Sequence, residues 1–97
     1  MNSSGEAIGS TLAELTARRR QHIKQIIARC SDCDSQLITG SALLAMDLYI
    51  DSLILTDIVY ETESAFDITI TESEMAIIES VTDFYQLVES KTARTES

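Results

Sequence analysis

The residues of greatest chemical interest are Asp51, Ser52 and Leu53, which stand where a helical pattern begins. Asp51 or Ser52 can cap that helix, because an oxygen of either side chain can accept a hydrogen bond from a free backbone N–H group. Ser52 can instead be a modification site, since the free N–H groups and the helix dipole stabilise a phosphodiester placed there. The tripeptide alone favours the cap, so the choice depends on the rest of the chain.

The other reactive residues do not form a recognisable site. Cys30 and Cys33 are a single CxxC pair, too few ligands for zinc and without the strand–helix–strand context of a redox motif. We interpret them as two free thiols at a helix end; a disulfide or a dimerising thiol is the alternative. Asp47 and Asp51 lack the central glycine and final glutamate of a calcium loop. With one histidine, far from Ser52, we expect neither a metal site nor an enzyme.

Composition and charge restrict the class of protein. The 97 residues fit one domain, and the absence of proline together with only three glycines favours helices over a sandwich or barrel. The net charge is −9, and residues 30–90 contain no lysine or arginine. This argues against a nucleic-acid partner for the main body. From charge alone, a basic protein partner and carboxylates that only confer solubility are equally good interpretations. No apolar run spans a membrane and no secretory signal is present, so we expect a cytoplasmic monomer.

The apolar periodicity predicts helices separated by irregular segments. A first helix is predicted from Thr11 to Arg29, then a loop over residues 31–50 that folds back on the core, and a helix after Ser52. Residues 67–71 alternate like a strand, but we favour an extended connector. A short helix over 72–78 and a last helix with a capping box at residues 80–83 complete one folded domain, residues 10–91. Residues 1–9 and 92–97 are predicted to be flexible.

Two features have more than one interpretation. Arg18, Arg19 and Arg20 interrupt the apolar stripe of the first helix, either as a solvated face or as a contact for an acidic partner or the chain's own acidic surface. In the helix after Ser52, Leu55, Ile58, Val59, Thr62 and Phe66 share the inner face. The outer face is partly apolar and partly acidic, which favours a binding surface over scattered exposed residues. It contains Leu53, Asp57, Tyr60, Glu61 and Ser64, with Ile54 at its margin.

The motifs in this order identify a family resemblance over roughly residues 12–91. Residues 47–53, Asp-Leu-Tyr-Ile-Asp-Ser-Leu, resemble the Asp-Leu-Gly-x-Asp-Ser-Leu signature of acyl carrier proteins. Residues 66–70 resemble the family's Phe-x-x-x-Ile stretch, and residues 23–27 look like the end of its first helix. The resemblance implies an all-α four-helix bundle, with three longer helices, one short helix and a long loop between helices 1 and 2.

The resemblance also implies a function. Ser52 would carry 4′-phosphopantetheine, donated by coenzyme A through a phosphopantetheinyl transferase, and the protein would shuttle acyl thioesters without catalysing a reaction. Its partners would be acyl-transferring, condensing and modifying enzymes with basic docking patches. The implied docking residues are Asp51, Leu53, Ile54, Asp57, Tyr60, Glu61 and Glu63. The implied lining of an acyl pocket is Leu55, Val59 and Ile70.

Three departures from the family pattern bear on the choice of partner. Tyr49 replaces the glycine of the signature, Ile54 replaces a residue that is often acidic, and Thr71 replaces the usual proline. Both ordinary fatty-acid synthesis and a dedicated polyketide or unusual-lipid pathway remain open, with a slight preference for the second. The alternative from another class is a small acidic helical adaptor that binds a basic protein, with Ser52 serving only as a cap.

Overall fold

The computed structural model describes residues 4–96, with side chains for residues 13–92. Over this range the chain is all-α, as predicted: three longer helices and one short helix pack around a single core. Helix α1 spans Ser4–Ser31, so the predicted start at Thr11 was wrong. Ile23, Ile26 and Ile27 are buried whereas Leu15 is 45% exposed. The packed part of α1 therefore lies after the arginine triplet.

The long loop between α1 and α2 folds back on the core, as predicted. A 3₁₀ turn at Ser35–Leu37 begins it, and Asp34 caps this turn. Five loop residues are then buried against the helices: Ile38, Ala42, Leu44, Leu48 and Ile50. Since only one member of each predicted apolar pair points inward, Leu37 and Leu43 are exposed.

Helix α2 spans Ser52–Phe66 and presents the predicted stripe to the core. Ile58 and Thr62 are buried, and the Thr62 hydroxyl donates to the Ile58 carbonyl at 2.7 Å. That hydrogen bond satisfies the one polar group on the buried part of the stripe. The remaining members of the stripe are half-buried against the core: Leu55, Val59 and Phe66.

Residues 67–71 form the predicted connector, and no strand occurs within residues 4–96. The Glu63 carboxylate accepts a hydrogen bond from the Ile70 N–H at 2.8 Å, and Ile70 is buried. Helix α3 spans Glu72–Ala76, two residues shorter than predicted. Thr71 and Glu74 cap it reciprocally, which the sequence analysis did not anticipate.

Helix α4 spans Val81–Glu96 and begins with the predicted capping box. The Ser80 hydroxyl accepts from the Asp83 N–H, and the Asp83 carboxylate accepts from the Ser80 N–H, both at 3.1 Å. Val81, Phe84 and Val88 are buried in the core. Helices α1 and α4 reach into the termini predicted to be flexible. The side chains of residues 1–12 and 93–97 lie outside the described set, so that flexibility stays a prediction.

Candidate functional site

Asp51, and not Ser52, caps α2. The Asp51 backbone is extended, and its Oδ1 accepts a hydrogen bond from the Ile54 N–H at 2.9 Å. Ser52 is the first residue of the helix and is exposed. Its hydroxyl has no hydrogen-bond partner among the residues that the structure describes. Because the cap is already supplied, the Ser52 hydroxyl is available at the positive end of α2.

The loop that leads to Ser52 holds a strained residue. Tyr49 has φ 56°, in the left-handed region, and its side chain is 82% exposed. Its neighbours Leu48 and Ile50 are both buried, so the backbone must turn sharply between two anchored side chains. The family signature has glycine here, the residue that adopts this conformation without steric cost.

The carboxylate of Asp47 has a structural role in the same loop. It accepts a hydrogen bond from the Leu43 N–H at 2.8 Å, which closes a turn before Ser52. Within the described part of the chain, no group of three histidine, cysteine, aspartate or glutamate residues is placed to hold a metal ion. The Asp47 carboxylate therefore organises the backbone of this loop.

A cleft of about 390 Å³ begins at Ser52 and runs between α2 and α3. The structure brings Leu55, Val59 and Ile70, the three expected acyl-pocket residues, to its wall. Met75 and Ala76 from α3 complete the apolar lining, and Thr56, Thr71 and Glu72 are its polar residues besides Ser52. A largely apolar cleft that opens beside an exposed hydroxyl suits an apolar group attached to that hydroxyl.

A second cleft of about 350 Å³ lies on the other side of Leu55. Its lining includes Leu44, Ile50 and Ile78, and Met46 contributes to it although its side chain is 73% exposed. Sequence reasoning assigned Met46 no role. Its role in the cleft could have been predicted from its position, since Met46 is an apolar residue in the loop before Ser52.

The outer face of α2 is mixed, as the angular analysis predicted. Leu53 is 77% exposed and Tyr60 is 71% exposed, and Asp57 lies exposed between them. Ile54 is half-buried. Exposed apolar side chains beside a carboxylate are typical of a protein-binding surface.

Two of the expected docking carboxylates are already engaged. Glu63 holds the Ile70 N–H, and Glu61 pairs with Arg29 of α1. The Arg29 guanidinium lowers the pKa of the Glu61 carboxyl, mainly through the hydrogen bond between them. Helical angles predicted only Glu61 on the outer face, and Glu63 was implied by the family resemblance. Neither argument shows that Arg29 of α1 reaches Glu61 or that the connector engages Glu63.

The thiol of Cys30 contacts the same glutamate. Its Sγ lies 3.6 Å from Glu61 Oε2, and Cys30 and Cys33 are both free thiols. Burial first, and then the Glu61 charge, raise the pKa of the Cys30 thiol. The thiol therefore stays protonated at neutral pH and is a poor nucleophile.

The three arginines of the triplet lie in different surroundings. Arg20 lies over the Tyr85 ring, 5.2 Å from its centroid, and pairs with Glu89 of α4. It therefore contacts the chain's own acidic surface. Arg18 and Arg19 line a separate cleft beside Phe66, at the end of α2 remote from Ser52.

The chain matches proteins of known class over most of its length. It is 33% identical over 69 residues to an acyl carrier protein of Thermotoga maritima, covering 71% of this chain and 85% of that protein. It is 35% identical over 66 residues to an acyl carrier protein of Buchnera aphidicola, covering 68% and 85%. It is also 29% identical over 80 residues to polyketide-8 synthase acyl carrier protein 2 of Streptomyces avermitilis, covering 82% and 92%.

A scan against protein-family models finds no match. Over the described residues, the chain is a helical bundle with an exposed serine at the start of α2, and the three relatives are all acyl carrier proteins by name. The chain belongs to the acyl carrier protein family. No helix among the described residues is both long and apolar enough to cross a membrane.

Proposed function

We propose that Ser52 is the attachment site of a 4′-phosphopantetheine arm, on which the protein carries acyl groups as thioesters. The observation that carries this proposal is the Ser52 hydroxyl itself: exposed, relieved of capping by Asp51, and placed at the mouth of the apolar cleft. When bound, the arm supplies the thiol to which the acyl group is joined. The protein is then a shuttle between separate enzymes and not a catalyst.

The residues around Ser52 fit a phosphodiester. The first turn of α2 itself has no acidic side chain, although the capping Asp51 carboxylate next to it already accepts from the Ile54 N–H. The N–H groups of the first turn that Asp51 does not engage remain available to a phosphodiester on Ser52. A negative group here gains about 0.3–1 kcal/mol from the helix dipole. The Ser52 oxygen would attack the phosphorus that bears pantetheine in coenzyme A. The pyrophosphate P–O bond would break, the nucleotide would leave, and a base of the transferase would take the hydroxyl proton.

The cleft residues would shelter the attached group. Leu55 and Val59 form the α2 wall, and Ile70 forms the base where the connector enters the core. A chain lying between them would remove apolar surface from water, at about 25 cal/mol per Å² buried. The same contact would exclude water from the thioester that joins the acyl chain to the arm.

The outer face of α2 would receive the partner enzymes. Asp57 offers a charge to basic docking patches, and Leu53 and Tyr60 offer apolar contact. Asp51 and Ile54 lie beside the attachment serine, where a transferase must approach. Glu61 and Glu63 contribute less free charge than the family resemblance implies, since both are engaged within the protein.

A dedicated biosynthetic pathway, such as polyketide or unusual-lipid synthesis, is favoured over ordinary fatty-acid synthesis. One supporting observation is that a polyketide synthase carrier matches the largest share of this chain among the three relatives described. The other is the apolar character that Tyr49 and Ile54 give to the surroundings of Ser52. We place the protein in the cytoplasm as a monomer.

The test is a mass measurement. The protein is incubated with coenzyme A and a broad-specificity phosphopantetheinyl transferase, and its intact mass is recorded. We expect a gain of one phosphopantetheine group in the wild type and none in Ser52→Ala. The alternative function, an acidic adaptor without a prosthetic group, requires no gain in either protein. A gain that persists in Ser52→Ala would place the attachment elsewhere.

A further inference from the structure

Arg29 projects from the end of α1 onto the outer face of α2. Its guanidinium Nη2 contacts Glu61 Oε1, while Glu61 Oε2 lies 3.6 Å from the Cys30 thiol. Both oxygens of Glu61 are therefore engaged by α1. The Arg29 side chain nevertheless remains 64% exposed, whereas that of Glu61 is 37% exposed. A partner approaching here meets more of the cation than of the anion.

This arrangement divides the docking face into two parts of opposite charge. Asp57 and Glu61 are one helical turn apart on the same side of α2. Asp57 is exposed and has no ion pair among the described residues. Glu61 lies nine residues beyond Ser52, about 14 Å along the helix axis. The face therefore carries a negative charge nearer Ser52 and an exposed positive charge farther away.

We propose that Arg29 determines which partners dock on α2. The fitting partner places a basic group against Asp57, an acidic group against Arg29 and an apolar residue against the exposed Tyr60 ring. A partner with an unbroken basic patch is disfavoured, because its far end meets the Arg29 guanidinium and must compete for Glu61. This inference rests on the proposed carrier function.

The ion pair is not needed to hold the helices together. Ile23, Ile26 and Ile27 of α1 and Ile58 of α2 are all buried in the common core. An exposed ion pair such as Arg29–Glu61 contributes little to stability, because solvent screens the charges. Replacing Arg29 should therefore change the docking face and leave the fold in place.

The experiment uses a broad-specificity phosphopantetheinyl transferase with a basic docking patch as the probe. Its KM is measured for the wild type, Arg29→Ala, Glu61→Gln and the double variant, at low salt. We expect Arg29→Ala to lower KM about two- to fivefold, the range that one exposed charge pair supports. The same change in the Glu61→Gln background should have less effect, because no carboxylate is then released.

Arg18→Ala is the matched control for net charge. Arg18 is an exposed arginine of the same helix, eleven residues before Arg29, and it lines the cleft beside Phe66 instead of the docking face. We expect its KM to equal that of the wild type, and circular dichroism should show unchanged helix in every variant.

Each remaining outcome overturns a stated claim. An unchanged or raised KM in Arg29→Ala, with Ser52 still modified, overturns the role of Arg29 alone. If Arg18→Ala lowers KM as much as Arg29→Ala does, the fall reflects net charge alone and the role of Arg29 is overturned. If Arg29→Ala lowers KM equally in the Glu61→Gln background, release of Glu61 plays no part and the role of Arg29 is again overturned. Failure of every variant to be modified overturns the proposed function and this inference together.

Discussion

Asp51 accepts a hydrogen bond from the N–H of Ile54 at 2.9 Å, so the aspartate of the signature caps α2 and leaves the adjacent serine free. The sequence alone left open whether Asp51 or Ser52 caps the helix, and the structure gives the cap to Asp51. The carboxylate begins the helix, and the helix presents the hydroxyl. This division makes structure and attachment separately testable.

Asp51→Ala should destabilise the protein by about 1 kcal/mol, the usual cost of losing a helix cap. Ser52→Ala should change the free energy of unfolding by less than about 0.5 kcal/mol, because its hydroxyl has no partner among the described residues. Urea denaturation followed by circular dichroism measures both. Equal losses in the two variants would show that Ser52 shares the cap.

Tyr49→Gly should stabilise the protein by about 1 kcal/mol. Tyr49 has φ 56°, a conformation that costs a residue with a side chain roughly 1–2 kcal/mol. Glycine removes this strain, but part of the gain is lost because glycine has more conformational freedom in the unfolded chain. Little packing is lost, since the ring is 82% exposed. Tyr49→Ala is the control, because it removes the ring and keeps the strain. Guanidinium denaturation should show a gain for glycine only.

Stability should fall in acid, and Asp83 should contribute to that fall. Hydrogen bonds from the backbone N–H groups of Glu79 and Ser80 lower the pKa of Asp83 in the folded protein. A carboxyl with a lowered folded pKa stabilises the protein above its unfolded pKa of about 4, and this stability is lost as pH falls through that value toward the folded pKa. Thermal unfolding of Asp83→Asn between pH 7 and pH 3 should show a shallower decline than the wild type. An identical decline would exclude Asp83 from it.

A larger side chain in the cleft beside Ser52 should block binding of the acyl chain without changing the stability of the fold. Ala76 is exposed and lines the cleft that begins at Ser52, so Ala76→Phe should occupy that space without displacing a buried side chain. Acylation should raise the Tm of the wild type, because the chain buries apolar surface. We expect that rise to be lost in Ala76→Phe, while the unacylated variant keeps the wild-type Tm. An undiminished rise would place the acyl group elsewhere.

Patterns local to one element predicted much of the fold. The inner stripe of α2, the capping box of α4 and the three cleft residues all follow from helical spacing or from the family signature. Contacts between elements did not follow. Arg29 reaches Glu61 from another helix, and the burial of Tyr85 under Arg20 depends on how α1 and α4 cross. A long arginine side chain has too many conformations for spacing along one helix to fix its partner.

The unequal walls of the cleft beside Ser52 have a consequence for exchange of its contents. The α2 wall belongs to a helix with Ile58 and Thr62 fully buried, whereas the α3 wall is a five-residue helix with no buried residue. Segments with so little buried surface open at low free energy, well below that of global unfolding. Under the proposed function, entry and release of the acyl group should therefore need local displacement of α3 and the breaking of its Lys91–Glu74 ion pair, but not unfolding of the bundle.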